Sequence, residues 1–230
     1  MRPGTVIFDL DGTLADTSGD LLAAANACFR DLGLGVLLGA GDEGVALRGG
    51  RAMLSLGFER VGGIEAREVD RQYPRLLRHY EAAICERTAL YPGAAEAVER
   101  LLADGHRTGI CTNKPEGLAD LLLRRLGVRD LFGSLVGADT LPVRKPDPQA
   151  FRTAVIWAGG ETSRACMVGD TETDHRTARA AGVPSILVSF GPSREDMGAL
   201  GPEVLLGSFG ELAGAVQGLW AEARREALAG

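Results

Sequence analysis

The spacing of apolar and polar positions changes character twice along this chain. Residues 5–8 form a short apolar run with the length of a buried strand. Over residues 17–32 apolar positions return at helical spacing, with Thr17 or Ser18 placed to cap the first turn. Residues 33–50 are rich in glycine and carry no clear period. Residues 51–60 and 65–85 again read as helices. Tyr91-Pro92-Gly93 breaks the pattern, and a helix is expected to start there with Pro92 near its first turn. The rhythm then alternates. Strands are predicted over 107–111, 134–136, 165–168, 185–188 and 204–206, and helices over 115–126, 148–158, 173–181 and 208–228. Strands alternating with helices predict an α/β fold with a doubly wound parallel sheet. Residues 16–88 lack strands and read as a small helical domain inserted after the first strand. Residues 1–15 and 89–230 are left as a Rossmann-like core.

Composition narrows the function. At 230 residues and 45% hydrophobic content, the chain is long enough for one large domain or a core with an insert. A formal charge of -6 argues against a nucleic-acid or anionic-membrane surface, although a local cation cluster can still seat a small anion. No apolar stretch is long enough to span a bilayer and the N-terminal segment has no signal-like apolar region, so a cytoplasmic location is expected. The cysteines Cys28, Cys85, Cys111 and Cys166 have no metal or disulfide spacing, and Cys111 and Cys166 sit in apolar runs as small core residues. Of 25 basic residues only Lys114 and Lys145 are lysine, and both adjoin turn signals. A compact ammonium differs from a guanidinium fork, so these two invite a role, Lys145 more than Lys114.

The chemistry lies in the turns. Asp9 and Asp11 end the first strand, and i, i+2 side chains of an extended segment point the same way. Two carboxylates that close repel unless a cation or a proton relieves them. The pair therefore reads as a metal or nucleophile site, with a plain Asp-Gly turn as the alternative. Thr112 and Asn113 follow the second strand and precede a helix start, a place for either an anion or a simple cap. Asp170 and Asp174 flank a later strand end and, four apart at a helix start, are expected on one face. Together with Asp9 they could give oxygen ligands to a hard cation, or one of them could cap the helix. Lys145, in a stiff loop between Pro142 and Pro146, adds positive charge. Asp147 and Pro148 read as a helix start. His79, His106 and His175 have no supporting pattern. All the loaded turns fall where doubly wound sheets bind ligands, beyond the carboxyl ends of the strands.

Asp-Leu-Asp-Gly-Thr at 9–13, Thr-Asn-Lys-Pro at 112–115, Lys-Pro-Asp-Pro at 145–148 and Gly-Asp-Thr-x-Thr-Asp at 169–174 resemble, in order and spacing, the four motifs of the haloacid-dehalogenase-like hydrolase superfamily. Tyr91-Pro92-Gly93 and the helical insert resemble its phosphoglycolate-phosphatase-like branch, in which a small helical cap closes over the site. The resemblance implies a magnesium-dependent phosphatase acting on a small phosphorylated metabolite, with 2-phosphoglycolate as a candidate. It casts Asp9 as nucleophile and Asp11 as acid and base. Mg2+ would be held by Asp9, the Asp11 carbonyl and Asp170. The phosphoryl oxygens would be bound by Thr112, Asn113 and Lys145, with Asp174 orienting the metal's waters or Lys145. Arg48 and Arg51 border a glycine-rich stretch of the insert, and Ser189-Phe190-Gly191 departs from the tyrosine-bearing turn associated with that branch. A sugar-phosphate mutase, a pyrophosphatase and a non-catalytic binding module on the same fold are the other readings. The resemblance leaves monomer or homodimer open.

Overall fold

The computed structural model of the protein describes residues 3–63, 66–191 and 196–229. Six strands build a parallel sheet: β1 (Thr5–Phe8), β4 (Arg107–Cys111), β5 (Ser134–Val136), β6 (Ala165–Gly169), β7 (Ser185–Val188) and β8 (Val204–Leu206). Two further short strands, β2 (Ala15–Asp16) and β3 (Ala89–Leu90), pair only with each other. The large sheet has the order β5-β4-β1-β6-β7-β8. β1 is therefore central, and the chain winds first to one side of it and then to the other. Its two neighbours keep aligned registers, with Phe8 beside Ile110 and beside Val168. Those registers bring the turns after β1, β4 and β6 to one edge, the crevice where a doubly wound sheet reverses direction.

Both faces of β1 are buried, as the unbroken apolar run of a central parallel strand requires. On one side Ile7, Cys111, Val136, Phe151, Val155 and Met167 share a core with Ala178 and Val183. Phe151, Ala154 and Val155 belong to α7 (Pro148–Trp157), and Ala178 to α8 (Glu172–Ala181). The other core helices are α5 (Ala94–Ala103), α6 (Glu116–Arg125) and α9 (Leu212–Ala229). The thiol of Cys111 is buried in this core and that of Cys166 is buried on β6, and burial pushes both up to about 12. They are inert small apolar residues, as their apolar runs indicate.

The chain divides into two compact units, one built on Met1–Leu14, Leu90–Gly191 and the C-terminal stretch, the other on Ala15–Ala89. The second is helical: α1 (Ser18–Asp31), α2 (Glu43–Ala46), α3 (Gly50–Glu59) and α4 (Ala66–Ala82). The expected start of α4 at Glu65 lies outside the described residues. The ring of Phe29 packs edge-on against Phe58 at 5.4 Å, beside a glycine that leaves room for it. A Cβ on Gly57 would lie 2.1 Å from Phe29 Cζ. The glycine-rich stretch before α3 is held by side chains. Asn26 Oδ1 accepts from the N–H groups of Leu37 and Leu38, its Nδ2 donates to the Leu38 carbonyl, and Arg60 grips Asp42 with both terminal nitrogens.

Helix starts fall close to expectation, but other groups satisfy them. Thr17 is the N-cap position of α1, as expected, yet its side chain makes no cap hydrogen bond; Asp16 Oδ1 accepts from Ser18 N at 3.0 Å and Ser18 Oγ at 2.6 Å. Pro92 lies before α5, whose cap is Gly93 at φ 80, a left-handed conformation that glycine adopts without a Cβ clash. Pro115 precedes α6 as its cap, in extended geometry at ψ 137, and does not form the first turn.

Candidate active site

Asp9 leaves β1 with its N–H still donating to the Val168 carbonyl at 2.9 Å, so the neighbouring strand fixes its position. Gly12 then reverses the chain at φ 79. Lys145 arrives from the loop before α7 and is almost fully buried. Its Nζ donates to Asp174 Oδ1 at 2.6 Å and lies 3.0 Å from Asp9 Oδ1. This second pairing lacks hydrogen-bond alignment, so Asp9 Oδ1 is buried without a hydrogen bond. Asp170 follows β6. Its Oδ1 accepts from Thr13 Oγ1 at 2.7 Å, while its Oδ2 is likewise buried without a hydrogen bond. Asp9, Asp170 and Asp174 each present one carboxylate oxygen within 4.8 Å of the others.

Asp170 and Asp174 do not share a helix face. Asp170 sits in the turn, Thr171 is the cap of α8, and Asp174 lies inside the helix. They meet because the Asp174 carboxylate reaches back. Its Oδ2 accepts from Asp170 N at 3.3 Å, Thr171 N at 3.1 Å and Thr171 Oγ1 at 2.6 Å. Gly169 makes this approach available, since a Cβ there would lie 2.3 Å from both Cβ and Cγ of Asp174. With one oxygen on Lys145 and the other on three donors, Asp174 is already saturated and serves to hold its neighbours.

Charge crowding marks the cluster. Burial pushes the Asp9 carboxyl up to about 6; Lys145 opposes that shift, while Asp174 and Asp11 add to it. Burial also raises Asp170 well above the usual carboxylate range, aided by Asp174 and Asp9 and opposed by Thr13 and Lys145. For Lys145 burial works against the charged form, but Asp174 and Asp9 outweigh it and keep the ammonium charged. Three acids and one ammonium leave an excess of buried negative charge, which a multivalent cation would relieve.

Thr112 is buried after β4, and its Oγ1 accepts from Lys114 N at 3.2 Å. Asn113 Nδ2 donates to the Lys145 carbonyl at 3.1 Å and ties the two loops together. The start of α6 is not open in the way the sequence implies. The Glu116 N–H donates to Asp139 Oδ1 at 2.7 Å, so that helix end already holds a carboxylate. Lys114, the weaker of the two lysine candidates, has its Nζ 2.8 Å from each oxygen of Asp11. Its rarity in the chain and its place beside a turn signal pointed to it, but no local pattern predicts the partner. Tyr91 packs on Phe190 at 5.1 Å and Phe190 on Phe209 at 5.3 Å, which gives Ser189-Phe190-Gly191 a packing role. The three histidines are structural: His79 pairs with Asp31, His106 Nδ1 accepts from Gly4 N, and His175 meets Ser185. Among the described residues no helix is long and apolar enough to cross a membrane.

A parallel sheet with acids, a lysine and a threonine converging at its switch point defines a doubly wound α/β protein with an acidic site at the carboxyl ends of its strands. Residues 6–188 match the haloacid dehalogenase-like hydrolase family, and the chain belongs to that family. It is 40% identical over 215 residues to the phosphoglycolate phosphatase of Rhodospirillum rubrum, spanning 91% of this chain and 89% of that protein. A crystal structure of a predicted phosphoglycolate phosphatase from Haemophilus somnus superposes with a TM-score of 0.82 at 23% identity, over 93% of this chain and 98% of that one. CbbY from Rhodobacter sphaeroides, crystallised in complex with phosphate, gives a TM-score of 0.75 at 25% identity, over 94% of this chain and 100% of that one.

Proposed function

We propose that this protein is a magnesium-dependent phosphatase of a small phosphorylated metabolite, with 2-phosphoglycolate the foremost candidate, and that it works through a phosphorylated Asp9. One observation carries the reading. At the switch-point edge, Asp9 Oδ1 and Asp170 Oδ2 are both buried without a hydrogen bond, beside an ammonium group fixed by Asp174. Oxygen atoms left this way fit a hard cation, which takes carboxylate and carbonyl oxygens. Asp9, Asp170 and the Asp11 carbonyl would hold Mg2+. When bound, it would supply positive charge against the phosphoryl oxygens. The name of the Rhodospirillum rubrum relative supports the substrate, and the bound phosphate of CbbY supports the ligand class.

In this reading an Asp9 oxygen attacks phosphorus, forming the Asp9 O–P bond as the bond from phosphorus to the substrate oxygen breaks. Asp11 gives its proton to that leaving oxygen. Water then attacks the aspartyl-phosphate, its proton passes to Asp11, and the Asp9 O–P bond breaks to release phosphate. The Lys145 ammonium and the Thr112 hydroxyl offset charge on the transferring group, and Asn113 holds the Lys145 loop in register. The helical Ala15–Ala89 unit is the cap of this reading. A panel of phosphorylated metabolites tests this, with free phosphate and isomerised sugar measured separately. Free phosphate from 2-phosphoglycolate, dependent on Mg2+, is the expected outcome. An isomerised sugar phosphate without release would contradict it in favour of a mutase.

A further inference from the structure

The mechanism above leaves one buried charge unused. The chain has only two lysines, and the ammonium of each is directed at one acid of the β1 turn: Lys145 at Asp9, Lys114 at Asp11. We propose that Lys114 is a positioning residue that fixes the Asp11 carboxylate for proton transfer to and from the reacting oxygen. This rests on the reading of Asp11 as the acid and base.

The geometry is specific. Lys114 Nζ is 2.8 Å from both Asp11 oxygens, and the lysine side chain is 4% exposed against 17% for Asp11. A lysine amine is rarely buried this fully without an anionic partner. The carboxylate keeps an open edge while the ammonium behind it has lost its water. Lys114 is also anchored through its backbone on both sides. Its N–H donates to Thr112 Oγ1 at 3.2 Å, and its carbonyl accepts from Ala138 N at 2.9 Å. Asp11 follows β1 and Lys114 follows β4, neighbouring strands that pair Phe8 with Ile110 and so bring the two turns to the same edge. The contact joins two buried or half-buried side chains and does not depend on a flexible surface lysine.

An aspartate has several staggered rotamers. Without Lys114, Asp11 would be drawn toward the positive charge that serves Asp9. The paired oxygens hold it in one rotamer and keep the two acids on separate cations. An arginine keeps the charge but would meet the Asp11 oxygens with a planar, longer head from a shifted position, which fits the use of lysine in an arginine-rich chain.

Proton delivery matters most when the leaving oxygen is basic. The test is kcat/KM of Lys114→Met, Lys114→Arg, Asp11→Asn and the unaltered enzyme, with Mg2+, on monophosphates of uncharged alcohols and phenols of graded basicity. Lys114→Met should lose about 30-fold on the most basic alcohol and less than about 3-fold on the most acidic phenol, a part of the roughly 10²–10⁴-fold that general acid catalysis supplies. Lys114→Arg should show the same slope in milder form, and it stands in should Lys114→Met fail to fold. In the Asp11→Asn background, Lys114→Met should add no further selectivity. An equal loss on every member would mean a structural ion pair and overturn the proposal. So would a loss that needs a second anion on the substrate. If Asp11→Asn is itself unselective, the acid–base reading of Asp11 falls and takes this proposal with it. If Asp11→Asn is selective and neither lysine variant is, the Lys114 proposal alone falls.

Discussion

Asp9 is a carboxylate whose surroundings resist its charge, and that has a consequence for pH. Its folded-state pKa is raised to about 6, and Asp170 is raised as well, both chiefly by burial. A carboxylate raised on folding binds its proton more tightly in the native state. Its contribution to stability is therefore present at low pH and lost as pH climbs through the folded value. Metal-free protein should melt at a higher temperature near pH 5 than near pH 7. Asp42 and Asp120, lowered by Arg60 and Arg124, act in the opposite sense at lower pH. His106, lowered chiefly by burial, opposes the two acids inside the window, so the scans are compared with Asp9→Asn, in which the gain at pH 5 should shrink. Mg2+ at pH 7 should raise the melting temperature and flatten the profile, as an ion held only by the native cluster would. Thermal scans with and without the ion would check both; a metal-free profile that rises with pH across this window would contradict the burial argument. Asp9→Asn should remove turnover by more than about 10³-fold, as loss of a nucleophile does, and melt no lower than the parent without metal. At this scale the sequence reveals the residue types but not their pairing. Asp9 and Asp11 can be picked out from i, i+2 spacing, whereas the Lys114 to Asp11 contact joins positions 103 apart and needs the sheet register to exist.

At the scale of elements, two contacts decide geometry. Gly169 ends β6 where the Asp174 carboxylate folds back against it. Gly169→Ala should cost about 1–3 kcal/mol, the usual result of overpacking, and lower kcat by displacing the group that holds Lys145. Denaturant melts and steady-state rates would measure the two losses, and an unchanged rate would dissociate Asp174 from the site. In the helical unit, Asp20 accepts from Arg87 N, Thr88 N and Thr88 Oγ1, and so ties the start of α1 to the segment leading into β3. Asp20→Ala should destabilise by about 3 kcal/mol, since hydrogen bonds to a charged acceptor are the strong ones. A shift in denaturation midpoint would report it, and a change below about 0.5 kcal/mol, the level of a neutral surface substitution, would contradict it. The strand–helix alternation was readable because buried parallel strands and amphipathic helices write their period locally. The stretch over 33–50 was not, because Asn26, Asp42 and Arg60 order it through side chains from outside it. The groups that satisfy helix starts were hidden for a related reason. Proline and serine advertise a boundary, but the carboxylate that accepts from its N–H groups is chosen by the fold, as with Asp16 and Asp139.

For the whole molecule, the strand order explains how a net-negative chain can receive an anion. β4, β1 and β6 lie side by side, and their following turns deliver Thr112 and Lys114, Asp9 and Asp11, and Asp170 and Asp174 to one edge. Lys145 and a divalent cation would turn that acidic edge into an anion seat. Chelation should therefore abolish phosphate release, and Mg2+ should restore it; full activity in excess chelator would remove the cation from the scheme. The most direct test of the account is to quench the enzyme in acid during turnover of 2-phosphoglycolate with Mg2+ and to weigh its peptides. The account predicts a mass gain of one phosphoryl group on the peptide carrying Asp9, absent in Asp9→Asn. Turnover with no such adduct, or an adduct on any other residue, would contradict it.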